Sequence, residues 1–396
     1  MVGTATIATF LVAGAASLFM AWSIGAGSSG STPFAPAVGA NAISVMRAGF
    51  FVGILGFAGA VLQGQGVTDA VGKELVLFSA GNGLTALAAT VGLLIAGVLV
   101  AIGIFAGYPI ATAFTVTGAV VGVGLALGGQ PAYEKYQVIV SMWVLVPFVG
   151  GGVAYTVARL LRAEGVSERL VVPLLAGIVG VIIANVNFVL LGPAGESQSI
   201  ARTVAASMPG STLVDMAIVS VVIGAVAAIV LERDMAADET AGQRHFLLVL
   251  GALVAFSAGG SQVGLAVGPL APLLSDFQIP TVALLLGGGL GLLAGSWTGA
   301  PRMIKALSQD YSSLGPRRSI AALIPSFAIA QTAIFLGVPI SFNEIIVSAI
   351  VGSGYAAGGA GVSRKKMVYT VLAWVGSLVL AFAVSYVAFL GVDAVF

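Results

Sequence analysis

The chain contains no cysteine, a single histidine and few charged residues. The absence of cysteine excludes disulfide bonds and thiolate metal sites. Charged residues make up 8% of the sequence, whereas soluble domains usually carry about a quarter. The net charge of +1 gives no electrostatic basis for nucleic-acid binding. No histidine-rich metal cluster, nucleophile triad or nucleotide-binding loop with lysine can be found, so we predict neither an enzyme nor a bound cofactor.

The chain consists mainly of apolar residues. Of the 396 residues, 59% are hydrophobic, and many lie in runs of about 20 residues, the length at which a helix crosses the hydrocarbon core of a bilayer. The number of runs predicts an all-α polytopic membrane protein with about ten to twelve membrane segments. We expect a multi-pass protein of the plasma membrane. The first run, 2–24, lacks a basic leader and is interpreted as a spanning helix.

One sequence pattern occurs twice. Residues 104–124 and 334–354 both read I-F-x-G-x-P-I, followed after seven residues by a small residue and A-(V/I)-V-G-x-G. The second copy follows the first at an offset of 230 residues without a gap, so Gly107 and Pro109 correspond to Gly337 and Pro339. A match of this kind indicates an internal duplication.

The duplication suggests three regions. We predict a first transmembrane repeat at 1–160, central helices with a charged linker at 161–245, and a second transmembrane repeat at 246–396. Each repeat contains a Gly-rich broken segment, a spanning helix and a pair of segments broken at Gly-x-Pro. The two broken segments are 25–41 and 259–272.

Basic residues indicate the orientation. They cluster in a predicted long loop that runs to Arg318 and in the predicted loop after 356. The positive-inside rule places both clusters on the cytoplasmic side: Arg302, Lys305, Arg317, Arg318, Arg364, Lys365 and Lys366. An even number of crossings must then separate them. Two full helices or one re-entrant hairpin would satisfy this condition, and we favour a hairpin with its tip at Gly337-Val338-Pro339.

Interrupted membrane segments in matching positions of two repeats indicate a transporter site. A helix that begins inside the membrane has unpaired N–H groups and a positive dipole end, which attract an anion. Serine and threonine add hydroxyl donors, and glycine lets the backbone approach. We therefore predict these substrate-binding residues: Gly25, Gly27, Ser28, Ser29, Ser31, Thr112, Thr115, Gly260, Ser261, Gln262, Ser341 and Asn343. For any single Ser or Thr, a bond to its own backbone or a neighbouring helix is the competing interpretation.

Glu344 lies in the middle of an apolar run, where acids are rare and usually functional. It could carry a coupling proton or ligate a coupling cation such as Na⁺. The alternative is a residue near the hairpin tip that reaches interfacial water. Its counterpart in the first copy is Phe114, so the duplication has lost its symmetry at this position.

Over nearly its whole length the chain resembles the inorganic phosphate transporter (PiT) family. Members carry the signature G-A-N-D-V-A-N-A once per half; here 25–32 and 259–266 occupy these places, and the G-x-P motifs at 107 and 337 match the family's second motif. The resemblance implies inverted repeats, a midplane anion site and ion-coupled uptake.

The signature differs from the family at its acids. Ser28 and Gln262 stand where the family has Asp, and these Asp residues look like sodium ligands in the family, so sodium coupling of the usual kind is in doubt. Phosphate at neutral pH keeps a proton, so a hydrogen-bond acceptor in the site strengthens its binding. Sulfate carries no proton, so the same acceptor would be left unpaired. The loss of both acids therefore favours sulfate, as in the sulfate-permease branch that the pattern resembles. Glu344 could reverse this preference by serving as the acceptor.

Three functions stay open at this point. The first is a secondary transporter for a tetrahedral oxyanion, with sulfate favoured and a phosphate symporter as its alternative. The second is a channel or sensor that retains the fold. The third, a membrane enzyme, has the weakest basis. The partners expected are the inorganic anion and the lipid bilayer, with no nucleic acid, and a homo-oligomer is an open possibility.

Overall fold

The computed structural model describes residues 4–78, 83–193, 197–277, 279–359 and 362–395. These residues are almost entirely helical. The α-helices are α1 (Thr4–Ile24), α2 (Ala35–Gly39), α3 (Val45–Gln63), α4 (Gln65–Asp69), α5 (Ala86–Ala106), α6 (Thr112–Ala126), α7 (Tyr133–Leu160), α8 (Glu168–Asn185), α9 (Ile200–Ala205), α10 (Thr212–Ala237), α11 (Glu239–Val267), α12 (Leu274–Phe277), α13 (Thr281–Thr298), α14 (Ala300–Gln309), α15 (Pro316–Phe335), α16 (Phe342–Tyr355) and α17 (Arg364–Asp393).

Irregular helices and two small strand pairs complete the fold. Gly25–Ser29 and Ala70–Glu74 wind as π-helices, and Val189–Leu191 and Gly268–Leu273 as 3₁₀-helices. Strand β1 (Val76–Leu77) pairs antiparallel with β2 (Gln130–Pro131), Val76 facing Pro131. Strand β3 (Asn187–Phe188) pairs antiparallel with β4 (Gln198–Ser199), Asn187 facing Ser199. These two-residue pairs join short loops that precede or follow helices.

Within the described residues, ten helices are long and apolar enough to cross a membrane. The prediction of an all-α polytopic membrane protein is confirmed. The helices differ in how much of their apolar sequence is buried inside the protein. The buried share is 72% for the span that contains α11, but 22% for α10 and for α17. Helix α11 therefore lies in the centre of the bundle, and α10 and α17 present apolar side chains outward. The shorter helices α6 and α16 are also largely buried.

The two halves interlock through equivalent helix pairs. Helix α1 crosses α13 and α3 crosses α11, while α6 packs on α17 and α7 packs on α16. Glycine lies at each crossing: a Cβ on Gly25 would clash with the carbonyl of Leu292, and one on Gly259 with the carbonyl of Gly56. Small residues permit this close approach, as they do generally between membrane helices. Each repeat therefore completes the packing of the other.

The two hairpin tips are built identically. Helix α5 ends at Gly107 (φ 74°), and α15 is followed by Leu336 and Gly337 (φ 58°). The N–H groups of Tyr108 and Val338 return to the carbonyls of Gly103 and Ala333 at 3.0 and 2.9 Å, which is the Schellman arrangement. Left-handed backbone at these two positions favours glycine. The duplicated motif thus encodes the end of one helix and the reversal of the chain.

Two predictions about local structure are wrong. The predicted break at 259–272 begins only after Val267, because α11 continues through Gly259, Gly260, Ser261 and Gln262 as regular α-helix. The supposed basic loop up to Arg318 contains helix α14, whose apolar side is buried. The break was predicted from the glycine content of 259–272, and the loop was predicted from the charged residues before Arg318. Packing against neighbouring helices outweighed both signals.

The glycine crossings predict a selective loss of stability. Gly295→Ala should destabilise the fold by about 1–3 kcal/mol, because its Cβ would overlap the backbone carbonyl of Trp22. Gly287→Ala in the same helix is the matched control, because it meets no atom within 4 Å. Thermal unfolding of the purified protein in detergent would compare the two. Equal melting temperatures for both variants would contradict the proposed role of the crossing.

Candidate functional site

The N-termini of α6 and α16 lead into one buried polar cluster. Each follows an extended stretch behind its hairpin tip, 108–111 in the first repeat and 338–341 in the second. Neither the Ala111 nor the Ser341 side chain caps its helix. The first N–H groups of a helix lack partners within the helix, so both helices present donors and a positive dipole end to their surroundings.

Gln262 on α11 ties the two hairpins together. Its Oε1 accepts from Thr112 Oγ1 at 2.7 Å and from Ser28 Oγ at 3.3 Å. Its Nε2 donates to the carbonyl of Ile340 at 2.6 Å. Gln262 thus joins the π-helical stretch, the start of α6 and the second hairpin tip. All of these side chains are fully buried.

Asn343 makes the corresponding connection from the second repeat. Its Nδ2 donates to the carbonyl of Ile110 at 2.7 Å and to the carbonyl of Gly27 at 3.0 Å. The predicted residues Ser28, Thr112, Gln262 and Asn343 are therefore brought together around the two tips. The two duplicated motifs thus approach each other at this cluster.

Several polar atoms in this region are buried without a hydrogen-bond partner. Of the eight such side-chain atoms among the described residues, five belong to predicted site residues: Ser29 Oγ, Ser261 Oγ, Ser341 Oγ, Asn343 Oδ1 and Glu344 Oε2. Buried polar atoms are nearly always paired, since each unpaired one costs about 1–3 kcal/mol. Their concentration on two helices and the π-helical stretch marks this cluster as a candidate binding site with donors and acceptors.

Glu344 lies in the first turn of α16 and is 1% exposed. A carboxylate is favoured at the positive end of a helix dipole. Its counterpart Phe114 stacks on Trp143 with 3.9 Å between ring centroids. The acid therefore replaces an aromatic packing contact of the first repeat. Burial excludes the alternative of a side chain that reaches interfacial water.

Other predicted residues have structural partners. Ser31 Oγ donates to the carbonyl of Ser28 at 3.2 Å, and Thr115 Oγ1 to the carbonyl of Ala111 at 3.0 Å and to Ser377 Oγ at 3.1 Å. A Cβ on Gly27 would overlap the Ile104 side chain, and one on Gly260 would lie 2.8 Å from the Cβ of Gln63. Gly25 faces Leu292 at a crossing. An anion-binding role for these five residues stays a prediction.

The idea that the Gly-Ser stretches end a helix needs correction. Gly259 to Gln262 lie within α11, and Gly25–Ser29 continues α1 as a π-helix, so their backbone N–H groups follow helical turns. The donors of the interrupted backbone come from α6 and α16 instead. The glycines serve close helix packing, which is the commonest role of glycine in membrane helices.

Two tryptophans that were not among the predicted site residues support the hairpin tips. Trp143 Nε1 donates to the carbonyl of Pro339 at 2.9 Å, and Trp374 Nε1 donates to the carbonyl of Pro109 at 2.7 Å. Each indole comes from the helix that follows one hairpin and supports the tip of the other. A signal was available, because the two tryptophans recur at nearly the same offset as the duplicated motif.

Comparison with known proteins gives a consistent result. The profile of the phosphate transporter family matches residues 24–385. The chain is 26% identical to the chloroplastic inorganic phosphate transporter 2-1 of Arabidopsis thaliana, with 90% of this chain and 67% of the relative covered. It is 25% identical to a putative phosphate permease of Pyrococcus furiosus, with 90% and 89% covered.

A solved structure shares the fold. The structure titled the sodium-dependent phosphate transporter superposes with a TM-score of 0.82 at 21% identity, covering 98% of this chain and 100% of that chain. At this identity the likeness establishes the architecture. The ten candidate spans of the described residues and the two interlocked halves thus share the fold of that solved structure.

The unpaired hydroxyls predict a graded loss of anion binding. Ser261→Ala should weaken anion affinity by about 1–3 kcal/mol if its hydroxyl donates to the bound anion. Ser326→Ala is the matched control, because that buried hydroxyl is already bonded to the carbonyl of Ala322 at 2.7 Å. Calorimetric titration with phosphate and with sulfate would measure both variants. An unchanged affinity for both anions in Ser261→Ala would remove this residue from the site.

Proposed function

The chain belongs to the phosphate transporter family, and from this premise we propose that it is an ion-coupled secondary transporter that carries inorganic phosphate across the cell membrane. The observation that carries the proposal is the buried polar cluster where the two hairpin tips meet. Both donors and acceptors are available there. Neutral side chains dominate it, and the only acid among its residues described above is Glu344.

Phosphate is a better candidate than the sulfate favoured by sequence reasoning. Sulfate was favoured because the site was expected to lack hydrogen-bond acceptors. Asn343 Oδ1 and Glu344 Oε2 are, however, buried acceptor atoms without partners. Phosphate keeps a proton at neutral pH and can donate it, whereas fully ionised sulfate would face these oxygens unfavourably. The curated relatives are named for phosphate, which supports the same choice.

We propose that Glu344 carries the coupling charge. Ser28 and Gln262 occupy the positions of the family's acids, and Gln262 Oε1 already accepts two hydroxyl groups. No cluster of three or more metal-binding side chains occurs in the described part of the chain. A single buried carboxylate beside the anion cluster suits transfer of one positive charge, whether a proton or a sodium ion bound together with the phosphate.

The domain division is part of this proposal. We propose a first repeat at 1–160, which ends with α7, and a second repeat built from α11 onwards. A boundary after 245 would cut α11, which begins at Glu239, so the start of this helix is the more natural limit. Helices α8 and α10 then form the central region between the repeats and pack on each other.

Transport and its driving ion can be measured in proteoliposomes. We expect uptake of labelled phosphate in excess of labelled sulfate, driven by either a proton or a sodium gradient. Liposomes without protein provide the baseline. Preferred transport of sulfate would refute the acceptor argument, and flux that ignores both gradients would favour a channel with this fold. Binding of phosphate without flux would indicate a sensor.

Glu344→Gln should uncouple transport from its driving ion. The amide keeps nearly the same size but cannot carry the charge, so we expect phosphate exchange to persist while gradient-driven accumulation is lost. The exposed Glu134→Gln on α7 is the control and should accumulate phosphate normally. The readout is accumulation against exchange at several pH values and sodium concentrations. If Glu344→Gln retains the pH and sodium dependence of the parent, the carboxylate has a structural role.

A further inference from the structure

A second polar region lies outside the central cluster. It is a cavity of about 610 Å³ between α3, α4, α8 and the last turns of α15. Since a water molecule takes about 30 Å³ of liquid volume, this space has room for about twenty waters or a hydrated anion. The polar residues that line it include Gln63, Gln65, Asp69, Asn185, Gln331 and Thr332.

The cavity lies at the end of α15 opposite its basic residues. Helix α15 begins at Pro316, next to Arg317 and Arg318, and the cavity touches only its last turns, from Ala328 to Phe335. The positive-inside rule places the basic end in the cytoplasm. The cavity therefore faces the outside of the cell. Of the described residues that line it, only Asp69 carries a charge, and Lys73 pairs with that carboxylate at 2.7 Å.

Two glutamines close the floor of this cavity. Gln63 Nε2 donates to Gln331 Oε1 at 3.3 Å, and Gln331 Nε2 donates back to Gln63 Oε1 at 3.2 Å. The pair links α3 of the first repeat to α15 of the second. It is anchored at both ends, since Gln63 Nε2 also donates to the carbonyl of Asn187 at 2.9 Å and Gln331 Nε2 to Ser257 Oγ at 2.6 Å.

The pair lies next to the part of α11 that leads into the central cluster. A Cβ on Gly260 would lie 2.8 Å from the Cβ of Gln63, so only the absence of a side chain lets the two helices approach there. The next residue along α11 is Ser261, whose hydroxyl is buried without a partner, and Gln262 follows. Gln63 therefore packs against α11 one residue before the part of this helix that contributes to the candidate anion site.

The opposite half has no such pair. The offset of the duplicated motif makes Ala101 the counterpart of Gln331. The equivalent crossings of Gly59 over Phe256 and of Gly295 over Trp22 make Gly299 the counterpart of Gln63. Neither counterpart has an amide side chain. The pair is therefore a feature of the outward side only, and internal symmetry does not account for it.

We propose that this cavity is the outward vestibule for the transported anion and that the Gln63–Gln331 pair is the gate between the vestibule and the central cluster. The proposal rests on the proposed function as a phosphate transporter. Only two neutral hydrogen bonds join the two glutamines to each other, so their separation breaks no ion pair. Once separated, both amides turn N–H donors toward a passing anion, and no fixed cation holds the anion back.

Cysteine labelling can test the vestibule, because the chain contains no cysteine of its own. Thr332→Cys places a thiol on the exposed, cavity-lining side of α15, and Ile102→Cys is the matched control at the equivalent position of α5, exposed but away from the cavity lining. A membrane-impermeant, negatively charged methanethiosulfonate is added outside. We expect Thr332→Cys to be modified and its phosphate uptake abolished, with Ile102→Cys unaffected. An unmodified Thr332→Cys would overturn the vestibule.

The gate is tested with a thiol behind the pair. Ser261→Cys should react slowly with the same reagent, and adding Gln63→Ala or Gln331→Ala should raise the labelling rate about tenfold, the factor expected for the loss of about one hydrogen bond. Gln65→Ala, which removes another amide from the cavity lining, is the control and should leave the rate unchanged. Equal rates with Gln63→Ala and Gln65→Ala would overturn the gate. Ile102→Cys should stay unlabelled in each background, which shows that the variant is folded.

The two proposals can fail separately. Labelling does not require transport, so a protein that carries no phosphate but shows the expected labelling pattern would retain the vestibule and refute the proposed function. A protein that transports phosphate but is never labelled at position 332 would retain the function and refute the vestibule.

Discussion

The interrupted backbone of the two hairpins must have hydrogen-bond partners inside an apolar bundle, and this requirement shapes the centre of the structure. The chain is extended at 108–111 and 338–341, where helical partners are absent. Four carbonyls of these stretches accept side-chain N–H groups instead: Pro109 from Trp374, Pro339 from Trp143, Ile110 from Asn343 and Ile340 from Gln262. Irregular backbone at membrane depth persists only where protein satisfies it in this way.

These bonds also explain why the repeats depend on each other. Both indoles and Asn343 reach a tip of the opposite repeat, and Gln262 joins both tips, so neither hairpin can be held by its own half alone. The glycine crossings have the same reciprocal character, with α1 on α13 and α3 on α11. A site enclosed by both repeats is well suited to alternating access, in which one half moves against the other around it.

The two halves depart from symmetry at two polar positions. Where the first repeat has Phe114 stacked on Trp143, the second has the buried acid Glu344. Where the outward side has the Gln63–Gln331 pair, the counterparts have no amide. In the function proposed above, the duplicated framework supplies the anion site, Glu344 supplies the coupling charge, and the Gln63–Gln331 pair controls access from one side.

Much of this could be predicted from particular residues. Composition determined the membrane environment, since so few charges cannot cover a soluble surface. Gly107 and Gly337 with their following prolines determined where the helices end, because left-handed backbone and a missing N–H are local constraints. The course of α11 through Gly259 to Gln262, the contacts of the two tryptophans and the amide pair depended on tertiary packing. Glycine content alone does not distinguish a helix break from a close helix crossing, and partners far apart in sequence meet only once both repeats have folded together.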